Sequence, residues 1–141
     1  MKVSDILRIK GSHVYSVTGQ ISVYDALKIM GDKNIGALLV IEGEKLMGIF
    51  SERDYARKVV LKGKMSKDVP VNEIMTEQVI TVTPDDTIEN CMGLMSQKHF
   101  RHLPVIQEDK VTGMISIGDV VNAIIAAQKE TIAHLQHYIS Q

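Results

Sequence analysis

Two short segments of this chain carry residue types that can do chemistry at a spacing that repeats. Gly48-Ile-Phe-Ser-Glu-Arg-Asp54 and Gly113-Met-Ile-Ser-Ile-Gly-Asp119 each place an apolar stretch before a serine and set an aspartate three residues beyond it. Ser-x-x-Asp is a capping-box pattern, in which Ser51 or Ser116 caps a helix and Asp54 or Asp119 favours its positive end. Helix starts also present unpaired backbone N–H groups, which suit a phosphate. A serine hydroxyl there can donate to a phosphate or sugar oxygen, and a carboxylate one turn in can accept from two vicinal hydroxyls. Arg53 adds a phosphate-pairing cation to the first segment; Gly118 stands in its place in the second, so the two segments differ in charge preference. Ser22-x-x-Asp25 and Thr83-x-x-Asp86 share the spacing without the glycine and its strand, and are read as caps alone.

The two segments belong to a longer duplication. Residues 16–60 align with 81–125 at a constant offset, without a gap, and eleven of the 45 pairs are identical, among them Met30/Met95, Leu38/Leu103, Val40/Val105, Gly48/Gly113, Ser51/Ser116 and Asp54/Asp119. Duplication at this scale governs the fold before any local signal does. Each copy predicts alternating strand and helix. In the first, Val14–Thr18 is a strand, Ser22 opens a helix with Val23, Ala26, Leu27 and Met30 on one face, and Ala37–Ile41 and Leu46–Phe50 are strands about a turn holding Gly43. A helix then runs from Ser51 to Leu61. In the second, Val79–Thr83, Leu103–Ile106 and Val111–Ile115 are strands, Thr87–Lys98 is a helix, and another helix starts near Ile117. Val3–Leu7 and Val71–Met75 precede the copies and resemble each other, the first followed by three extra residues near Lys10–His13. The domains expected are 1–62, a polar linker 63–70, and 71–141.

Composition bounds the rest. The chain of 141 residues is 45% apolar, enough for one shared core, with eight methionines as gap fillers. A net charge of −1 argues against sequence-independent nucleic-acid binding. The one cysteine, Cys91, excludes an internal disulfide and sits on an apolar helix face as a buried thiol. No signal peptide or membrane-length apolar run is visible, so a cytoplasmic protein without membrane association is expected. His99/His102 and His134/His137 lack further ligands and are not read as metal sites. Arg57, Lys58, Lys62, Lys64 and Lys67 form a basic cluster, read first as a solvated face with linker and second as an attractant for nucleotide phosphates or an acidic partner. No nucleophile–base pair stands out, which points away from an enzyme. Val121, Ile125, Ile132, Leu135 and Ile139 form a stripe, interrupted by Gln128, on a last helix running to about Ile139. It can pack back on its own domain, and suits pairing with a second copy better, since a helix extending past the compact unit has little core of its own to cover.

Taken together, the duplication, His102-Leu-Pro-Val-Ile106 with its weaker copy Ala37-Leu-Leu-Val-Ile41, and the two Gly-h-h-Ser-x-x-Asp segments resemble the cystathionine β-synthase (CBS) domain pair, or Bateman module, over essentially the whole chain. The resemblance implies an α/β fold of two pseudo-symmetric β-α-β-β-α units joined by their sheets, the last helix extended, with up to two clefts for adenosine ligands. It implies that Asp54 and Asp119 hold riboses, with Ser51 and Ser116 near ribose or phosphate. Asp119 would be joined by Tyr15, Ile35, Gly36 and Met114, and Asp54 by Ile80, Phe100, Arg101 and Ile49, the apolar members sandwiching adenine. The family often has threonine where this chain has Ser51 and Ser116, and proline where it has Leu39. The function implied is non-catalytic regulation by an adenine nucleotide, AMP first, then ATP, ADP or NAD(H), then S-adenosylmethionine. It would be exerted by a homodimer on a protein target in trans, without a metal. The competing expectation is a homodimeric interaction scaffold whose clefts stay empty.

Overall fold

A computed structural model describes residues 1–140, which form two compact units. One runs from Val14 to Ile80. The other joins Met1–His13 to the chain from Thr81 onward. The units therefore do not follow the two sequence repeats: the segment before each repeat packs with the other repeat's unit.

In the Val14–Ile80 unit, strand β1 (Ser16–Val17) pairs in parallel with β2 (Ala37–Glu42), which pairs antiparallel with β3 (Lys45–Ser51). Helix α2 (Val23–Lys33) starts where expected, the Ser22 hydroxyl accepting the Asp25 N–H at 3.1 Å. It stops at Asn34 in the left-handed conformation that short polar residues tolerate. Alternation along β2 and β3 points Leu38, Val40 and Phe50 into one core with Val23, Ala26, Met30, Val59, Val69, Val71 and Ile74. Helix α3 (Glu52–Tyr55) continues through Val60 as a π-helical segment, in which the Leu61 N–H reaches back to the Ala56 carbonyl at 3.1 Å. The polar stretch after it folds back onto its own unit: Val69 is buried, and its carbonyl accepts the Val23 N–H at 2.8 Å.

The other unit repeats this plan with changes. Strands β4 (His102–Gln107) and β5 (Lys110–Ser116) form a two-stranded antiparallel sheet, joined across Glu108 and Asp109 at φ 52° and 63°. Both positions need the positive φ of a tight hairpin turn. Their ladder slips register between Val105 and Ile106, as β2 and β3 do between Val40 and Ile41, so the irregularity was duplicated with the sequence. The strand expected over Val79–Thr83 contracts to a single parallel bridge from Val82 to Val105. Helix α4 (Ile88–Lys98) is capped by Thr87 and stops at left-handed His99, the counterpart of Asn34. Helix α1 (Val3–Lys10) is anchored by its first N–H groups to the Asp86 and Pro84 carbonyls, both at 2.9 Å. Helix α5 (Ile117–Ser140) buries Val120 fully and half-buries Ala123, Ile124 and Ala127, its later turns being exposed. The α/β class and the extended last helix agree with the expectation.

The crossing segments explain the two motif glycines. A Cβ on Gly113 would lie 2.8 Å from Leu7 Cδ2, and one on Gly48 would lie 2.7 Å from the Thr76 carbonyl oxygen and 2.8 Å from Met75 Sδ. Each strand needs a missing side chain where the crossing segment lies against it.

Candidate functional site

Each Ser-x-x-Asp segment forms the box that its spacing predicts, at a strand-to-helix junction. In the Val14–Ile80 unit, the Asp54 N–H donates to Ser51 Oγ at 3.3 Å, and the Ser51 N–H returns a bond to Asp54 Oδ2 at 3.0 Å. The Ser51 hydroxyl lies 3.1 Å from the same oxygen. The other carboxylate oxygen, Oδ1, accepts the Thr76 hydroxyl at 3.2 Å and pairs with Lys58 Nζ at 3.0 Å. That ammonium also donates to the Ile74 carbonyl at 3.0 Å. Asp54 is 8% exposed and is the buried charged residue of the chain's described part. Burying a carboxylate is costly unless it is paired and hydrogen-bonded, and Asp54 has both.

In the other unit, the Asp119 N–H donates to Ser116 Oγ at 3.2 Å, and the Ser116 N–H donates to Asp119 Oδ2 at 2.8 Å. Lys10, at the end of α1, places its ammonium 2.6 Å from Asp119 Oδ2 and 2.8 Å from the Met114 carbonyl oxygen. Burial raises the Asp119 carboxyl, but the bonds from Lys10 and the Ser116 N–H outweigh it and hold the group below the usual carboxylate range. His102, paired with Ser116 across the β4–β5 ladder, is pushed below the usual histidine range by burial and then by the Lys10 charge, against a smaller opposing pull from Asp119.

The structure therefore dresses equivalent aspartates with non-equivalent cations. Lys58 lies one helical turn beyond Asp54, a spacing at which opposite charges pair, so sequence could have found it; its counterpart Ala123 can supply nothing. Lys10 and Thr76 come from the crossing segments, 109 and 22 residues away from their aspartates, with no local signal. The three extra residues after the first crossing segment account for the difference. There the helix continues to Lys10, whereas after Met75 the chain turns extended and Thr76 pairs with Ile49.

The remaining predicted residues divide between the units. Tyr15, Ile35, Gly36, Ile49, Arg53 and Ile80 lie in the Val14–Ile80 unit with Asp54; Phe100, Arg101 and Met114 lie with Asp119. The Gly36 carbonyl accepts the Glu52 N–H at 3.2 Å, and the Arg101 carbonyl accepts the Ile117 N–H at 2.8 Å, so each closes the same helix start in its own unit. Ser22 acts as a plain cap, but Thr83 does not: its N–H donates to Asp86 Oδ2 at 2.7 Å within a turn, and Thr87 caps the helix that follows. In the basic cluster, Lys58 is committed to Asp54, and Lys67 lies over the Tyr24 ring at 4.8 Å. No helix among the described residues is long and apolar enough to cross a membrane.

The family profile described as CBS domain matches residues 3–61 and 71–126. "CBS domain-containing protein CBSX3, mitochondrial", from Arabidopsis thaliana, is 42% identical over 147 residues, which span 97% of this chain and 71% of that protein. The solved structure of a CBS-domain protein from Burkholderia ambifaria MC40-6 is 48% identical with a TM-score of 0.87, covering 91% of this chain and 96% of that one. The CBS domain pair of protein MJ0100, solved in complex with 5′-methylthioadenosine and S-adenosyl-L-methionine, is 26% identical with a TM-score of 0.79 and covers 90% and 98%.

Proposed function

The chain belongs to the CBS domain family, as a pair of such domains, and from that premise we propose that it is a non-catalytic regulatory module that binds an adenosine-containing nucleotide. The observation that carries the reading is the Ser116–Asp119 box at the start of α5. There a carboxylate is held in place by the backbone with a cation beside it, as a sugar diol next to a phosphate requires. The MJ0100 pair, solved with two adenosine derivatives, supports that ligand class. In this reading Asp119 and Asp54 accept from ribose hydroxyls, Ser116 and Ser51 lie near ribose or phosphate, and Arg53 pairs with phosphate. Tyr15, Ile35, Gly36, Ile49, Ile80, Phe100, Arg101 and Met114 contribute apolar and backbone contacts to adenine.

AMP is the first choice of ligand, ahead of ATP, ADP and NAD(H), because Lys10 and Arg53 favour an anionic substituent over the sulfonium of S-adenosylmethionine. Regulation follows if the ligand binds one conformation or assembly better than another, and a protein target in trans reads the difference. The reading places the protein in the cytoplasm; the Arabidopsis relative is mitochondrial by name, and cell fractionation distinguishes the two compartments.

Isothermal titration with AMP, ATP, NADH and S-adenosylmethionine tests the proposal. Saturable binding of one of them, with AMP tightest, is expected; no binding of any defeats it. One observation favours a second reading, a homodimeric scaffold with no ligand: α5 carries an exposed apolar stripe beyond its first turn. A stable dimer indifferent to all four ligands would select it.

A further inference from the structure

The two aspartates are equivalent in sequence and unequal in what their oxygens are already doing. Both oxygens of Asp54 are occupied by the chain itself. Oδ2 accepts from the Ser51 N–H and lies 3.1 Å from the Ser51 hydroxyl, while Oδ1 accepts from the Thr76 hydroxyl and the Lys58 ammonium. A carboxylate offers about four lone-pair positions, and these four contacts fill them. The residue is also nearly sealed from solvent. Asp119 differs on both counts. Among the described residues, its hydrogen bonds from the Ser116 N–H and Lys10 both end on Oδ2, with the Ser116 hydroxyl also beside the carboxylate. Its side chain keeps 24% of its surface exposed.

A ribose diol donates two hydrogen bonds, so it needs acceptor positions that are open or cheaply opened. At Asp119 the Ser116 N–H and Lys10 both take Oδ2, and the carboxylate is the more open of the two, its side chain 24% exposed against 10% for Asp54. At Asp54 the incoming hydroxyls must first displace the Thr76 hydroxyl and the Lys58 ammonium from Oδ1 of a nearly sealed carboxylate, leaving Thr76 without that partner. Charge-assisted bonds of this kind are stronger than neutral ones and most costly to abandon when buried.

We propose that the chain's two ribose acceptors are ranked. Asp119 is the open, tight-binding acceptor for the adenosine ligand, and Asp54 is an internally satisfied one that Thr76 and Lys58 hold shut. This rests on the nucleotide-binding reading above and adds which half of the duplication carries it. The ranking arises in the crossing segments, because the second one delivers a threonine hydroxyl to Asp54 where the first delivers the Lys10 ammonium to Asp119.

Isothermal titration of the full chain with AMP tests the ranking. The wild-type protein should give one tight event, any second event being weaker by on the order of tenfold or more, the equivalent of one buried charge-assisted bond. Asp119→Asn should abolish the tight event. Thr76→Val, a near-isosteric change, should leave the tight event intact and strengthen or reveal the second by opening Asp54 Oδ1. Two events of equal affinity, a tight event that survives Asp119→Asn, or a second event untouched by Thr76→Val would overturn the ranking while leaving nucleotide binding standing. If Asp119→Asn does not fold, the Thr76→Val titration decides alone. An absence of heat with AMP, ATP, NADH and S-adenosylmethionine in the wild-type protein defeats the nucleotide reading, and the ranking with it.

Discussion

Leu7 lies so close over Gly113 that a Cβ there would sit 2.8 Å from Leu7 Cδ2 and 2.9 Å from its Cδ1, closer than real carbon atoms approach. The contact ties α1 to β5, and with it brings Lys10 to Asp119. The glycine of the motif thus does no chemistry of its own. It leaves room for the segment that carries the cation.

Gly113→Ala and Gly48→Ala should both destabilise, and unequally. At Gly113 the obstacle is the end of a leucine side chain, which can rotate away, so a loss of roughly 1–2 kcal/mol is expected. At Gly48 the nearest atom is the Thr76 backbone oxygen, fixed by its bond from the Ile49 N–H at 3.0 Å, so the loss should reach roughly 3 kcal/mol. Urea unfolding of both variants gives the comparison. Leu7→Ala should recover part of the Gly113→Ala loss in a double-mutant cycle, and strict additivity would refute the contact.

Acid should weaken the fold through two groups of one unit. Asp119 has its carboxyl lowered in the folded protein, so the stability that it contributes is complete above the ordinary carboxylate range and is lost as pH falls below it. His102 is also lowered. Below pH about 6.5 the unfolded chain takes up a proton there that the folded one resists, so stability already declines as pH drops from 7 toward 5. His102→Gln should flatten the first decline and Asp119→Asn the second, in midpoints of urea unfolding followed from pH 7 to 3. An unchanged slope in either variant would remove that group from the account.

Local pattern made much of this legible. Ser22, Ser51 and Ser116 cap helices as their Ser-x-x-Asp spacing predicts, while the expected cap Thr83 closes a turn and Thr87 caps α4 instead. The β2–β3 and β4–β5 hairpins follow from apolar runs about Gly43 and Glu108. What escaped was long-range. The resemblance of Val3–Leu7 to Val71–Met75 was visible, but a repeat does not say which copy its leading segment joins. The partners Lys10 and Thr76 depend on that choice. The strand expected over Val79–Thr83 shrank to one bridge because Val82 alone has its N–H and carbonyl facing β4, bonded to the Pro104 carbonyl and the Ile106 N–H. β-propensity in a short run does not fix its pairing.

Cys91 should be inert until the protein unfolds. It is fully buried on α4, and burial, with a smaller effect from Asp86, pushes its thiol up to about 11. The thiolate is the nucleophile, so at pH 8 a folded population should react with Ellman's reagent only at the rate at which the unit opens. Full reactivity in 6 M guanidinium and a rate at least about a hundredfold lower in buffer are expected. Rapid labelling of the native protein would mean that α4 detaches readily from the rest of its unit, α5 included.

Helix α5 provides the test of assembly. Val121, Ile125, Ile132 and Leu135 are 39%, 44%, 54% and 57% exposed, and with Gln128 and Ile139 they step along the helix by alternating fours and threes. That alternation keeps one face toward a partner helix, and a lone polar residue such as Gln128 fixes the register of pairing at some cost in stability. A second copy offers the same face, so two α5 helices can bury each other's stripe. Burying an isoleucine or leucine contributes about 1.5–3 kcal/mol, and a charge in its place opposes association further. Ile132→Glu and Leu135→Glu should therefore each shift the chain from dimer to monomer in sedimentation equilibrium at micromolar concentration, while its circular dichroism and thermal midpoint at high dilution stay near those of the wild type. A wild-type chain that sediments as a monomer would leave the stripe without this partner. Dimers that persist in both variants would place the interface on another face.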